Sequence, residues 1–409
     1  MMKNYDHRKR TVTIKVLKED KTPLQNQELN INQINHKFLF GCNGFEIIPY
    51  ANNKLEDRDR EYTEKYIDRF LDLFNFVTLP FYWARFEPEQ GKPRTEELSN
   101  TAKWCKEHNL IIKGHPLSWH TLAPKWLLNM TNEEIIDELI KRIERDVKDF
   151  KGLVDMWDVI NEVVIMPVFD KYDNGLTRIC KELGRINTIK MVFEATHSTN
   201  PEAILILNDF DISPAYDILI EGCLEAGIEI DIIGIQSHMH QGYWGVEKTE
   251  WVLERFSRFN IPIHFSETSI LSGELMPAKY TDLNDYQVKE WPSTPEGEER
   301  QAKQVVEFYK TLFAHPLVEG ITCWDLLDGQ WLNAPSGLLR EDCSPKPAYE
   351  ELYRLVKGEW WTEERALLTD SQGRVEVTGF PGEYQLTFGD KKSQFRLEDK
   401  EDAEISIHL

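Results

Sequence analysis

The sequence has no long apolar run and comparatively little positive charge. No stretch of its 409 residues approaches the roughly 18 consecutive apolar residues that a membrane-spanning helix requires. Lysine and arginine together number 48 against 70 aspartates and glutamates, so the formal net charge is −22. Binding to a phosphate backbone depends on lysine and arginine. We therefore expect neither a membrane nor a nucleic-acid partner, and an uncharged or cationic ligand.

Cysteines are few and widely spaced. A zinc knuckle or a compact disulfide framework needs closely spaced cysteines, and this sequence has no CxxC pair. We therefore expect reduced, mostly buried thiols at all six positions. The six are Cys42, Cys105, Cys180, Cys223, Cys323 and Cys343.

The N-terminal residues, MMKNYDHRKRTVTIKVL, contain no apolar stretch of signal-peptide length and no small-residue cleavage site. From this we expect a cytoplasmic protein, or a secreted one if a leader has been removed.

Both ends of the chain have the alternating pattern of β-strands. Residues 11–17 alternate between polar and apolar side chains, and residues 27–35 form a second short strand pattern. Near the C-terminus, turn signals such as 371–373 separate further alternating runs, with Tyr384, Leu386 and Phe388 in one of them. Neither end can bury a core alone. We therefore predict one small β-sandwich made from residues 1–36 and 358–409, with two unrelated appendages as the alternative.

Residues 37–357 have a different pattern, in which short apolar runs are mostly followed by amphipathic helices. Thr131 and Glu134 fit a capping box at the start of the clearest helix, 131–150. Eight such strands alternating with helices predict a (β/α)8 TIM barrel. A doubly wound open sheet is the alternative, but no GxGxxG or P-loop supports it. The apolar runs are 38–42, 74–79, 110–113, 153–160, 203–207, 230–235, 261–265 and 320–324.

Polar and aromatic residues follow six consecutive apolar runs. Chemistry in such barrels sits at the C-terminal ends of the strands, so this placement predicts an active site there. The segments are 114–120 (GHPLSWH), 161–162 (NE), 208–209 (ND), 236–240 (QSHMH), 266–268 (SET) and 324–325 (WD).

Two of these residues, Glu162 and Glu267, end the fourth and seventh predicted strands, on opposite sides of the barrel mouth. Two carboxylic acids facing across a sugar-sized gap are the groups that hydrolyse glycosides. Asn161 could hold a sugar 2-hydroxyl. Trp119, Trp324 and Trp331 would offer flat apolar faces to sugar rings. A single glutamate or tryptophan is usually structural. The shared position at strand ends favours the functional interpretation.

The histidines allow a metal site as an alternative. His115 and His120, or His238 and His240, could be ligands, but no HExxH motif or cysteine partner accompanies them. We therefore expect them to bind sugar hydroxyls or a carboxylate, and His264 to be a structural strand residue. A Ser-His-Asp triad has no GxSxG to begin from.

Several of these segments together resemble glycoside hydrolase family 10, the retaining β-1,4-xylanases, over roughly residues 38–357. They are 157–162 (WDVINE), 114–120, 234–238 (GIQSH), the strand of Glu267, and the closing segments 334–339 (APSGLL) and 345–349 (PKPAY). The resemblance implies a TIM barrel that needs no metal or cofactor. It also implies that Glu162 is the acid/base and Glu267 the nucleophile. The residues that it places around the bound sugar are His115, Trp119, Asn161, Gln236, His238, Trp324 and Trp331.

Two departures from the family pattern lie near these residues. After the second strand the family usually has a Glu-Asn pair and a Lys that grip the sugar on the non-reducing side, whereas residues 78–88 here are TLPFYWARFEP. We count Tyr82 of this stretch among the substrate-binding residues. Ser269 stands where the family usually has an aspartate. We expect altered substrate choice rather than loss of activity.

The sequence thus predicts a retaining β-glycosidase for xylan or xylo-oligosaccharides, with its two carboxyl groups about 5–5.5 Å apart. The aromatic stretch 81–83 could instead close the cleft and favour short or decorated oligosaccharides, or another β-glycoside. A carbohydrate-binding barrel without catalysis is the alternative from a different class, and the two intact glutamates argue against it.

Overall fold

The computed structural model describes residues 5–398 and 404–409. Its strands are β1 (Arg10–Leu17), β2 (Glu28–His36), β3 (Leu39–Asn43), β4 (Phe76–Pro80), β5 (Ile111–His115), β6 (Met156–Asn161), β7 (Ile204–Asp209), β8 (Ile232–Met239), β9 (Ile263–Ile270), β10 (Val318–Cys323), β11 (Arg365–Leu368), β12 (Arg374–Gly379), β13 (Gly382–Phe388), β14 (Lys391–Leu397) and β15 (Ile405–His408).

The α-helices alternate with the middle strands. They are α1 (Ile47–Ala51), α2 (Asp57–Leu73), α3 (Trp83–Phe86), α4 (Thr95–Glu107), α5 (Asn132–Asp149), α6 (Gly175–Leu183), α7 (Arg185–Thr199), α8 (Pro214–Glu225), α9 (Gly245–Ser257), α10 (Pro295–Phe313) and α11 (Pro347–Arg354).

Strands β3 to β10 form a closed parallel barrel in chain order, and β10 pairs with β3 to complete it. Each of the eight apolar runs supplies one of these strands, because a strand covered by helices outside and by side chains inside is buried on both faces. The predicted TIM barrel is therefore confirmed, and the open doubly wound sheet is excluded.

Helix α5 shows how the sequence pattern sets a helix. Thr131 accepts from the backbone N–H of Glu134, and the Glu134 carboxylate accepts from the backbone N–H of Thr131, so the predicted capping box is present. Ile135, Leu139 and Ile143 at helical spacing are fully buried in the barrel's core cluster.

The two ends of the chain meet in two small sheets. One has the order β12-β1-β15, and the other has the order β11-β2-β13-β14. In the first, Ile14 of β1 pairs with Val375 of β12, across more than 350 positions of sequence. Ile14 and Ile31 share one buried core with Tyr384 and other side chains of the C-terminal strands. The chain ends are therefore joined, and the alternative of two unrelated appendages is wrong.

The domain limits 1–36, 37–357 and 358–409 stay predictions, and residues 1–4 and 399–403 lie outside the described part. All six cysteines are buried and unpaired, as expected. No helix among the described residues is both long enough and apolar enough to cross a membrane.

Candidate active site

The backbone turns sharply where β6 ends. Glu162 follows β6 directly and has a φ of 56°, a left-handed conformation that costs a non-glycine residue about 1–3 kcal/mol. Its N–H donates to the carbonyl of Asn208, 2.9 Å away at the end of β7. This bond holds the turn at the C-terminal mouth of the barrel.

Glu267 lies within β9, beside an irregularity in strand pairing. Ile235 of β8 pairs with Phe265, but the next residue, Gln236, pairs with Glu267. The extra residue on β9 is Ser266. Bulges of this kind change the direction of neighbouring side chains and are frequent next to active sites.

The carboxyl group of Glu162 accepts three hydrogen bonds from side chains. Trp119 Nε1 donates to Oε2 over 2.9 Å, while Gln236 Nε2 and Asn161 Nδ2 donate to Oε1 over 3.1 and 3.3 Å. Burial and the negative charge of Glu267 raise the pKa of Glu162 to about 8, because both disfavour its ionised form. Glu162 is therefore protonated at neutral pH.

Glu267 is buried among positive and hydrogen-bonding groups. Burial alone would raise its pKa, but His115, His238 and Lys113 outweigh it and hold the pKa below its ordinary value. His238 Nε2 lies 3.1 Å from Oε2, and His115 Nε2 lies 3.9 Å from Oε1. Glu267 is therefore ionised at neutral pH. The two pKa values are shifted in opposite directions, which is how acid and base roles are separated in enzymes.

Asn208 connects the two carboxyl groups, although its role was not predicted. Its Nδ2 donates to Glu267 Oε1 over 3.0 Å and to Asn161 Oδ1 over 2.7 Å. Asn161 Oδ1 also accepts from Gln236 Nε2, which donates in turn to Glu162. The position of Asn208 at a strand end was the available signal, since an amide there has no place in an apolar core.

A buried ionic group lies beneath His115. Its Nδ1 is 2.6 Å from Asp158 Oδ2, and Lys113 Nζ is 2.8 Å from the same oxygen. Burial would raise the pKa of Asp158, but Lys113 and His115 together lower it. The ionised Asp158 fixes the His115 ring with Nε2 towards Glu267. Lys113 and Asp158 were also absent from the predicted site, although a lysine inside an apolar run is unusual and signals a buried partner.

The predicted aromatic residues surround these polar groups. The Tyr82 ring lies 5.5 Å from His115 and 5.7 Å from Trp119, measured between ring centroids. Trp324 lies 5.4 Å from His115, and Trp331 lies 4.5 Å from His238. Every predicted site residue is therefore at the mouth of the barrel.

The aromatic stretch 81–83 is divided between the site and the core. Phe81 is fully buried and packs 4.8 Å from Trp157, and Trp83 is buried with its Nε1 bonded to Glu87. Only Tyr82 faces the mouth. The prediction that the stretch as a whole closes the cleft is thus wrong for Phe81 and Trp83, because α3 begins at Trp83 and ends the strand alternation.

The histidines considered as metal ligands lie apart from any metal-binding cluster. Within residues 5–398 and 404–409, no group of three or more His, Cys, Asp and Glu side chains is arranged to hold a metal ion. His120 packs against Phe169 at 4.5 Å, and His240 packs against Trp331 at 5.1 Å. His264 is buried within β9, as expected of a structural residue.

An eight-stranded barrel with an acid and a carboxylate at its C-terminal mouth defines the class of acid/base enzymes to which glycoside hydrolases belong. The chain belongs to glycosyl hydrolase family 10, whose sequence profile matches residues 50–355.

Its relatives include endo-1,4-beta-xylanases. The chain is 27% identical over 304 residues to endo-1,4-beta-xylanase A of Xylanibacter ruminicola, covering 66% of this chain and 80% of the relative. It is 26% identical over 318 residues to endo-1,4-beta-xylanase B of Thermotoga neapolitana, covering 72% and 84%. The crystal structure of xylanase 10B from Thermotoga petrophila RKU-1 in complex with xylobiose has the same fold, with a TM-score of 0.63 and 24% identity over 79% of this chain and 95% of that one.

Ser269 lies beside Nδ1 of His238, the ring nitrogen on the side away from Glu267. Its Oγ lies 3.1 Å from Nδ1, so a neutral hydroxyl occupies the place of the family's usual aspartate. The other ring nitrogen, Nε2, lies 3.1 Å from Glu267 Oε2, so the hydroxyl and the carboxylate hold the ring from opposite sides. A serine therefore preserves the ring orientation without adding a negative charge.

We expect Ser269→Ala to lower kcat/KM about ten-fold, since loss of one buried hydrogen bond costs about 1–3 kcal/mol. Without the serine hydroxyl, the His238 ring would be held less firmly and would bond Glu267 less well, so the pKa of Glu267 would rise. The fall in activity on the acid side of the pH profile would then occur at a higher pH. The pH dependence of kcat/KM measures this. Thr196→Val is the matched control, because it also removes one buried hydroxyl, which donates to the carbonyl of Val192 within α7 and not to a group of the site. An unchanged acid limb would contradict the assignment.

Proposed function

We propose that the protein is a retaining glycoside hydrolase that cleaves β-1,4-xylosidic bonds in xylan or xylo-oligosaccharides. The observation that carries the proposal is the opposite shift in the pKa values of Glu162 and Glu267. One carboxyl group is kept protonated and the other ionised at the same mouth. Glycoside hydrolases in general need this pair of states, and the family 10 match and the endo-1,4-beta-xylanase relatives support the retaining mechanism and the xylosidic bond.

In the first step, Glu267 attacks the anomeric carbon of the bound sugar. A bond forms between that carbon and a carboxylate oxygen, while the bond to the leaving oxygen breaks and Glu162 gives that oxygen its proton. Asn208 and His238 each keep one oxygen of Glu267 oriented before the attack. Trp119 and Gln236 hold the carboxyl group of Glu162 in the same way.

In the second step, water releases the sugar from Glu267. Esterification removes the negative charge of Glu267, which is one of the two main causes of the raised pKa of Glu162. The pKa of Glu162 therefore falls, and the ionised carboxylate takes the proton of the attacking water. The sugar leaves with the configuration that it had in the substrate.

Aromatic rings line the side of the barrel mouth around Tyr82, and this lining supports a restricted range of substrates. The ring centroid of Phe45 lies 6.0 Å from that of Tyr82 and 5.9 Å from that of Trp324, near the place where family members usually grip the non-reducing sugar with polar groups. Rings of this kind pack on a sugar face but donate few hydrogen bonds. We expect short or decorated oligosaccharides to be better substrates than long xylan, and another β-glycoside is the alternative.

Product analysis in heavy-oxygen water tests the proposal. Xylohexaose and polymeric xylan are incubated with the enzyme, the fragments are identified by mass spectrometry, and the anomeric configuration of the first product is read by NMR. We expect short fragments of xylohexaose with retained configuration, in which the glycone product of each cleavage carries one heavy oxygen at its new reducing end and the leaving fragment carries none. Inverted product would contradict the retaining mechanism. Absence of cleavage, together with cleavage of another β-linked oligosaccharide, would reject xylan as the substrate.

A further inference from the structure

The connections around the barrel mouth differ greatly in length. The segments after β7 and β8 are short, spanning residues 210–213 and 240–244. Those after β6 and β9 are long, spanning residues 162–174 and 271–294. Glu162 begins the first long segment, and Glu267 lies near the end of the strand that leads into the second. We refer to residues 271–294 as the strap.

The strap is anchored on its neighbours by backbone and core contacts. The N–H of Met276 donates to the carbonyl of His240 over 2.9 Å, and Gln241 Nε2 donates to the carbonyl of Tyr280 over 2.6 Å. Leu271, Met276 and Trp291 of the strap form a separate buried cluster with Ala334, which follows β10. The strap therefore has a defined position beside β8 and β10.

A lysine from the other long segment reaches the strap. Lys171 Nζ lies 2.6 Å from Asp282 Oδ2 and 2.6 Å from Asp285 Oδ1. We call this group the clasp. Strands β7 and β8 stand between β6 and β9 in the closed barrel. The clasp therefore joins the rim across the two strands whose own connections are short.

Exposed aromatic rings lie in the clasped part of the mouth. Phe210 follows β7 and is 45% exposed, and Tyr172, next to Lys171, is 48% exposed. Exposed aromatic rings at this position offer flat apolar faces to a bound sugar ring. Because β7 stands between β6 and β9, Phe210 lies on the rim between the two clasped segments.

We propose that the clasp closes the cleft on this side, so that the enzyme cleaves bonds close to the reducing end of a sugar chain. The inference rests on the proposed function, since Glu162 protonates the leaving oxygen and is the first residue of the clasped segment. The leaving part of the substrate therefore lies towards the clasp and has room for a short unit only. The remaining part extends through the half of the mouth that contains Tyr82 and Trp324.

A chain-end label tests the proposal. Xylohexaose with heavy oxygen at its reducing end is incubated with the wild type, with Lys171→Ala and with Lys310→Ala. Lys310 is the matched control, because it forms a similarly exposed ion pair with Glu359, at 2.9 Å, on a helix outside the mouth. For the wild type we expect the label mostly in fragments of one or two sugars.

Opening the clasp changes the expected pattern. An exposed ion pair contributes little to folding, so Lys171→Ala should fold normally while the share of label in longer fragments rises about two- to five-fold. Lys310→Ala should match the wild type. Label in fragments of all lengths from the wild-type enzyme, or no change in Lys171→Ala, would overturn the proposal.

Hydrogen exchange provides a readout that needs no substrate. Backbone amides of residues 276–288 should exchange faster in Lys171→Ala than in the wild type and in Lys310→Ala. Equal exchange rates in the wild type and the two variants would overturn the proposal that the clasp holds the strap in place. If no xylo-oligosaccharide is cleaved, the proposed substrate fails separately, and the label experiment is carried out with the β-linked oligosaccharide that the enzyme does hydrolyse.

Discussion

Replacing Glu267 with alanine should lower kcat by about 10⁶-fold, the scale on which loss of a catalytic nucleophile acts in enzymes. The expectation rests on the low pKa of Glu267 and on the two groups that orient it, Asn208 and His238. Without a carboxylate beneath the anomeric carbon, no glycosyl-enzyme forms. Initial rates with an aryl xyloside, whose good leaving group reports the first step, measure the loss.

Rescue by small anions tests whether the lost activity comes from the missing carboxylate of Glu267. The cavity left by Glu267→Ala can admit azide or formate, which would attack the sugar from the face that Glu267 uses. For azide we expect a glycosyl azide with inverted configuration at the anomeric carbon. Glu46→Ala is the control, since Glu46 is an exposed carboxylate near Gln330 at the mouth and should leave kcat unchanged. A Glu267→Ala enzyme within ten-fold of the wild type would reject Glu267 as the nucleophile.

Glu162→Gln should remove the alkaline limb of the pH profile and lower kcat/KM for xylo-oligosaccharides by about 10²–10⁴-fold. Glu162 has to carry its proton in the first step, so wild-type activity should fall as the pH rises through its pKa of about 8. On the acid side, activity should fall as Glu267 gains a proton, below the ordinary pKa of a glutamate. The Glu162→Gln variant should keep the acid limb, which Glu267 sets, and lose the alkaline limb.

The leaving group distinguishes this role from a structural one. Formation of the glycosyl-enzyme from an activated aryl xyloside needs little protonation, so it should be nearly unchanged in Glu162→Gln, whereas its hydrolysis should be slow. A burst of phenol release followed by slow turnover is the expected signature. Asp209 is a second buried acid nearby, with a pKa raised to about 7 chiefly by burial. An alkaline limb that survives in Glu162→Gln and disappears in Asp209→Asn would assign the limb to Asp209 instead.

The fold was predictable because its signals are local. The apolar runs specify the eight barrel strands, and the capping box at Thr131 marks the start of α5. The joined chain ends were predictable for a different reason, since neither end could bury a core alone. Strand β11 was missed because its residues are largely exposed and show no alternation.

The sequence predicted the two carboxyl groups and the aromatic side chains of the candidate site, but not the hydrogen bonds that connect its polar groups. Glu162 and the aromatic residues follow strands, Glu267 lies near the end of one, and a strand end can be recognised in sequence. The contacts of Asn208 with Asn161 and Glu267 span 47 and 59 positions, and those of Asp158 with Lys113 and His115 join two strands. Pairings of that kind depend on strand register and on the bulge beside Gln236, which no local pattern encodes.

The joined sheets also set an order of events during synthesis. Strand β1 lies at the centre of its sheet, between β12 and β15, and β2 lies inside the other, between β11 and β13. All four partners come from residues 365–408, so both strands leave the ribosome more than 300 residues before any of them. Domains tend to form as soon as their residues emerge. The barrel can therefore close while β1 and β2 are still unpaired, and the sandwich assembles after the barrel.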